Sequence, residues 1–164
     1  TSTPALVKAA GVTRGALYHH FADKSDLFFA VAEQAAQEVA DQISRRSDNP
    51  KSAVDGLTQG ADAYFEAMAS QGRARLLLLD APAVLAADKL AKLSQIAGSD
   101  ELQRGLAHAL PQEISNQEQL TALTAILSAG FDRAALDIIN GQPARHYQQA
   151  IRLILTGLVA TRDA

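Results

Sequence analysis

Apolar residues recur along this chain at steps of three and four, and almost nowhere in strict alternation, which is the signature of helices rather than strands. Leu27, Phe28, Val31, Ala35, Val39 and Ile43 form one such series and predict a long helix over 25–44. Val54, Leu57, Ala61, Tyr64, Phe65 and Met68 predict a second over 51–70, with Gly56 and Gly60 weakening its first half. Residues 73–80 read as a short, strongly apolar helix interrupted by Pro82, with 82–87 as a further turn. Residues 88–110 hold one helix or two, with Gly98-Ser99-Asp100 as the expected break. A long helix follows over 118–140, stopped by Gly141-Gln142-Pro143, and the last runs over 144–160. The fold class these patterns predict is all-α.

The first residues carry a more particular pattern. Ser2 or Thr3 can cap a short helix with Pro4 in its first turn and Leu6, Val7 and Ala10 on one side. Gly11 ends it, Val12 plugs the corner, and Thr13 caps a second helix. On that second helix Leu17 and Phe21 stack four apart, while Gly15, Ala16 and His19 point the opposite way, flanked by Arg14, Tyr18 and His20. This is the layout of a helix-turn-helix. The first helix braces the second, which lies in a DNA major groove with its N-terminal residues near base edges. The Arg14, Gly15 and Ala16 face is free of bulky aliphatics. Tyr18, His20 and Lys24 can hydrogen-bond phosphates, which fixes register without reading sequence.

Charge agrees with this in a small way. Lys8, Arg14 and Lys24 against Asp23 leave residues 1–24 at +2, and the other 12 basic and 17 acidic residues leave 25–164 at −5. A mildly basic head on an acidic body suits a protein that touches a polyanion with one end. The chain has no Cys, so disulfides and thiolate metal sites are excluded; a reducing cytoplasm is compatible with this without being proved by it, and is the expected location. No apolar run approaches the roughly 18 residues of a membrane span.

The run T-S-T-P-A-L-V-K-A-A-G-V-T-R-G-A-L-Y-H-H-F-A-D-K-S-D-L resembles the TetR family of transcriptional regulators. The specific part is A-G-V-T, then L-Y-x-H-F, then K-x-x-L, and the likeness is close over residues 1–31. L-L-L-L-D-A-P-A-V-L at 76–85 resembles a stretch of the regulatory domains in one branch of that family. The resemblance implies a three-helix DNA-binding head, whose first helix would precede Thr1, on a larger helical ligand-binding and dimerisation body. The expected division is 1–24 for the head, completed by the start of the 25–44 helix, and 25–164 for the body. By position, the resemblance implies that Ser2 and Thr3 contact phosphate. It places Thr13, Arg14, Gly15 and Ala16 near bases or backbone, and Tyr18, His20 and Lys24 on phosphates with His19 beside them. Pro4 departs from the polar or basic residue common there. The implied function is a homodimeric repressor released from operator DNA by a small-molecule effector. The alternative is a helical ligand- or protein-binding module without DNA-binding activity.

In the body, Tyr64, Phe65 and Met68 lie at helical spacing and, with Leu79, read either as core or as the wall of a ligand pocket. His108, between Leu106 and Leu110, reads as a satisfied histidine or as a polar group in that pocket. Arg75 and Asp80 are pocket groups or a surface pair. His19-His20 has no third ligand at metal spacing, so no metal and no cofactor are expected. No catalytic spacing or phosphate loop is present, so the chain does not read as an enzyme. The helix over 118–140 carries two apolar stripes, one through Leu120, Leu123, Leu127, Phe131, Ala134 and Ile138, the other through Ala122, Ile126, Ala129 and Ala135. The last helix is apolar nearly all round. Helices buried on more than one face need more neighbours than one small body supplies. A symmetric four-helix interface would supply them, with Leu123, Leu127, Phe131, Ile151, Leu155 and Leu158 as its expected residues.

Overall fold

The computed structural model describes residues 23–46, 50–70, 72–110 and 116–160. Helix α1 (Lys24–Arg46) is started by Asp23, whose side-chain Oδ1 accepts the Asp26 N–H at 2.8 Å. Its inward stripe is Ala32, Ala36, Val39 and Ile43, with both alanines fully buried. Helix α2 (Ala53–Met68) is capped by Ser52 and presents Ala61, Ala63 and Ala67, again almost wholly buried. Small side chains on both helices let α1 and α2 approach closely, and α2 also packs against most of the later helices.

Next come α3 (Arg73–Arg75), a π-helical turn over Leu76–Asp80 and α4 (Ala81–Val84), without a break. Pro82 therefore lies inside a helical run instead of ending it. In the wider turn ahead of it the Ala81 N–H reaches back to the Leu76 carbonyl, five residues away. This change of register relieves the clash a proline ring makes in a regular helix. Helix α5 (Ala87–Ser94) leads through a second π turn, Gln95–Ser99, into α6 (Asp100–Ala109). The break expected at Gly98 is a kink with φ of +123°, open to glycine. A Cβ there would stand 2.8 Å from Ile43 Cδ1, so α1 and this kink touch because residue 98 has no side chain.

Helix α7 (Gln117–Ile139) is capped by Asn116, which accepts the Gln119 N–H at 2.9 Å, and ends at Gly141, with φ of +97°. Helix α8 (Ala144–Ala160) packs chiefly on α2, burying Ile151 and Leu155. The described residues hold helices and connecting turns, with no strand among them. No helix among them is long and apolar enough to cross a membrane.

Candidate functional site

The helices close round a cavity of 630 Å³. Leu57, Ala61 and Met68 of α2, Leu77 of the first π turn, Leu90 and Leu93 of α5, and Phe131 of α7 supply most of its apolar wall. Ile43 and Ser44 close the end contributed by α1. The volume lies within the range that holds a drug-sized molecule, and an apolar wall with few polar groups is how such sites are built.

Besides the exposed pair of Glu101 and Arg104, a more deeply set polar pair stands in this wall. The Tyr64 hydroxyl donates to Asp132 Oδ1 at 2.5 Å. The Tyr64 ring is held by Phe65 and Phe131, with centroids 6.1 and 6.2 Å away, so the hydroxyl is aimed by packing. Burial raises the Asp132 carboxyl above its ordinary range, and the hydrogen bond from Tyr64 pulls it back only in part. Burial, then the neighbouring carboxylate, raise the Tyr64 phenol far above its usual value, so it stays a donor. The result is a half-buried carboxyl group whose side-chain partner among the described residues is the neutral Tyr64. Such a group gains from any positive charge or donor brought beside it.

Asp132 is the last of a polar row on α7. Thr124, Ser128 and Asp132 recur four apart, so they share one face of the helix. That face borders a second, polar pocket lined by Ser99, Asp100, Gln103 and Thr121 as well. Ser94, Ser99, Ser128 and Asp132 line both spaces, which therefore adjoin along this seam. Thr124 is 5% exposed, and its hydroxyl has no hydrogen-bond partner among the described residues.

The outer side of the cavity wall grips α1. Lys89 of α5 pairs with Asp26 at 2.7 Å, and Lys92 pairs with Glu33 at the same distance. Both ammonium groups lie over the Phe29 ring, 5.4 and 5.2 Å from its centroid. Farther along, Arg73 pairs with Glu38 at 2.6 Å, and Arg46 bonds Glu66 of α2. Helix α5 thus has Leu90 and Leu93 on the cavity and Lys89 and Lys92 on α1.

Of the residues singled out in the sequence, Ser2, Thr3, Thr13, Arg14, Gly15, Ala16, Tyr18, His19 and His20 lie outside the described residues. Lys24 is the first residue of α1 and is exposed. Tyr64 and Met68 line the cavity, and Phe65 packs behind Tyr64. Leu79 is half exposed and His108 is exposed on α6, and neither is part of the lining. Both helices turn those residues outward because Leu77, Leu106 and Ala109 take the inward positions. Arg75 and Asp80 form a surface pair at 3.8 Å. Leu127, Phe131, Ile151 and Leu155 are 7% exposed or less within the single chain, while Leu123 and Leu158 are half-buried. The outward large apolar residues of α7 and α8 are instead Ile126, Ile139, Leu153 and Ile154, at 69%, 40%, 75% and 47% exposure. Asp132, Ser128 and Thr124 went unnoticed in the sequence. Their spacing on an otherwise apolar helix was the signal that could have found them.

The described residues thus define a helical domain built round a ligand-sized cavity. Residues 1–31 match the bacterial regulatory proteins of the tetR family, and residues 54–160 match the tetracyclin repressor-like C-terminal domain. The chain belongs to the tetR family. It is 27% identical to the HTH-type transcriptional regulator AcrR of Shigella flexneri, over 80% of this chain and 65% of that protein. It is 46% identical to the HTH-type transcriptional repressor AcnR of Corynebacterium glutamicum over 39 residues, 24% of this chain and 21% of that one. The chain thus spans just under two thirds of the length of AcrR and about a fifth of AcnR. The crystal structure of a TetR-family transcriptional regulator from Pectobacterium atrosepticum superposes with a TM-score of 0.69 at 30% identity, covering 96% of this chain and 83% of that one.

Proposed function

We propose that this protein is a DNA-binding transcription regulator whose hold on DNA is set by a small molecule in the 630 Å³ cavity. The observation that carries the reading is the placement of α1. It begins within the residues that match the family's N-terminal region, and its other end walls the cavity. At 23 residues it is about 34 Å long, enough to carry a small tilt from the cavity to the head.

In this reading residues 1–24 form the DNA-binding head with the start of α1, and the rest is the regulatory body. Thr13, Arg14, Gly15 and Ala16 approach bases or backbone, Ser2, Thr3, Tyr18, His20 and Lys24 contact phosphates, and His19 stands beside them. Two chains pair through the outward side of α7 and α8, where Ile126, Leu153 and Ile154 are covered by the second copy. The two heads then enter successive major grooves, about 34–36 Å apart. A ligand that pushes on Leu90 and Leu93 moves α5, and Lys89 and Lys92 carry that movement to Asp26, Phe29 and Glu33 near the head end of α1. The ligand weakens DNA binding only as far as it prefers the body geometry that misplaces the heads.

The test is selection of duplexes from a random pool, followed by anisotropy titration of the selected DNA. The expected result is a dimer binding one palindromic sequence, with affinity falling steeply as salt rises. A monomer, or binding no tighter to the selected duplex than to unselected DNA, overturns the reading.

A further inference from the structure

Two spaces of opposite chemistry adjoin inside the body. The 630 Å³ cavity is apolar, while the 530 Å³ pocket beside it is walled mostly by hydroxyl and amide side chains. Gln95, Ser99 and Gln103, from the second π turn and α6, supply one side, and Thr121, Thr124 and Ser128 of α7 supply the other. Gln103 Nε2 donates to Thr121 Oγ1 at 3.3 Å between the two sides, so the pocket is narrow enough there for one guest to touch both. Its described lining carries the carboxylates Asp100 and Asp132 and no Lys, Arg or His. Thr124, Ser128 and Asp132 follow one another at one helical turn each, about 5–6 Å between neighbouring Cβ atoms. A head with one polar group therefore meets one turn of this row at a time, whereas a head with several hydroxyls meets neighbouring turns together. Each hydroxyl also both donates and accepts, which matches Ser, Thr and Gln partners. One member of the row lacks a partner. Thr124 is 5% exposed, and its hydroxyl has no hydrogen bond among the described residues. Leaving a buried hydroxyl unbonded destabilises the fold, and a group that bonds it recovers the loss.

We propose that the pocket between α6 and α7 is the head-group subsite for a neutral, hydroxyl-rich amphiphile of the alkyl glycoside class, whose hydrocarbon tail fills the 630 Å³ cavity. Head hydroxyls exchange hydrogen bonds with Ser128 and Thr124 on one side and Gln103 on the other. The tail lies along Leu57, Leu90 and Leu93. Ser99 and Ser128 line both spaces, so they stand where head and tail join. An anionic head would face Asp100 and Asp132 with no cation in the described lining to meet it. The proposal rests on the reading of the larger cavity as a ligand site and adds the polarity and orientation of what enters it.

Isothermal titration calorimetry at pH 7 tests it with octyl β-D-glucoside, octanol, octylammonium chloride and sodium octanoate, each below its micelle or solubility limit. The parent protein is expected to bind the glucoside about ten-fold tighter than octanol, a difference of about 1.4 kcal/mol. Octylammonium should bind less tightly than the glucoside, and octanoate most weakly. Gln103→Ala and Ser128→Ala together are expected to bring the glucoside down to the affinity of octanol while leaving octanol unchanged, which also shows that the variant folds. Thr124→Val should weaken the glucoside a few-fold, leave octanol unchanged, and leave the unliganded protein at least as stable as the parent. Equal binding of glucoside and octanol to the parent, or tighter binding of octylammonium or octanoate than of the glucoside, overturns the head-group assignment and leaves the cavity as a ligand site. Failure of all four to bind overturns both.

Discussion

Helices α1 and α7 are both 23 residues long, yet they are held in opposite ways. Helix α1 buries Ala32 and Ala36 beside Leu27, Phe28, Val39 and Ile43, and its outer side is tied to its neighbours by ion pairs at the surface. Exposed pairs of this kind contribute about 0–1 kcal/mol each and have no single tight geometry. Helix α7 is pinned by large side chains, with Phe131 among Tyr64 and Phe65, and by a buried hydrogen bond from Tyr64 to Asp132. Ion pairs between long charged side chains can follow a small tilt of a helix at low cost. Interlocked rings and a buried polar pair cannot. Under the proposed function, α1 would be the moving part and α7 the frame against which a ligand is measured.

The largest effects should come from breaking the frame side. Leu155→Ala removes a fully buried side chain between α8 and α2 and should cost about 2–5 kcal/mol in denaturant unfolding. Gly98→Ala probes the one place where α1 meets the body too closely for a side chain. The positive φ predicts a loss of about 1–3 kcal/mol, the Ile43 Cδ1 tip 2.8 Å away being able to turn aside. Leu153→Glu puts a charge on the outward face of α8 and should leave the chain folded but monomeric in sedimentation, with DNA affinity lost as a consequence.

Smaller effects should separate coupling from stability. Removing both Lys89 and Lys92 by substitution to Ala should change stability by about 1 kcal/mol or less, while ligand binding no longer alters DNA affinity. A loss of ligand binding itself would place these residues in the site instead of between site and head. The two aspartates of α7 sharpen the contrast further. Burial raises the Asp132 carboxyl, so the folded chain holds a proton there that the unfolded chain has released. Stability then falls as pH rises through the window above the ordinary carboxylate value of 3.8. Asp132→Asn should therefore be more stable than the parent at pH 7, with the gap closing as pH falls below that window in pH-dependent unfolding. Asp137 behaves in reverse. Hydrogen bonds from Arg133 and then Tyr147 lower its carboxyl. Its contribution is present above the ordinary carboxylate range and is lost as pH falls through the lowered value.

Most helices were legible in the sequence because their ends carry their own chemistry. Asp23 and Asn116 cap α1 and α7, Gly98 and Gly141 take positive φ, and α8 spans the very residues its pattern predicts. Pro82 misled because a π turn, which leaves no mark in periodicity, prepared a place for it. The site was harder to read for a general reason. Spacing tells which residues share a face, but not whether that face meets the chain's own core or a second chain. On α7 both stripes were found, and the one read as the interface, through Leu127 and Phe131, is the one that faces inward. The other, through Ala122, Ile126 and Ala129, faces out. His108 and Leu79 were singled out for their chemistry at positions that turn to solvent. Asp132 was missed because a single carboxylate in an apolar helix has no meaning until Tyr64, 68 residues away, is found beside it.

The central claim is that filling the cavity moves the head end of α1. The chain has no cysteine, so Lys24→Cys, at the first residue of α1, gives one site for a nitroxide label on each chain of the dimer. Pulsed electron–electron double resonance then reads the distance between the two labels with and without a small molecule that calorimetry shows to saturate the cavity. The account predicts a shifted distance distribution on ligand addition, and no shift when Lys89 and Lys92 are both changed to Ala. An unchanged distribution in the labelled parent, with the cavity filled, would contradict it.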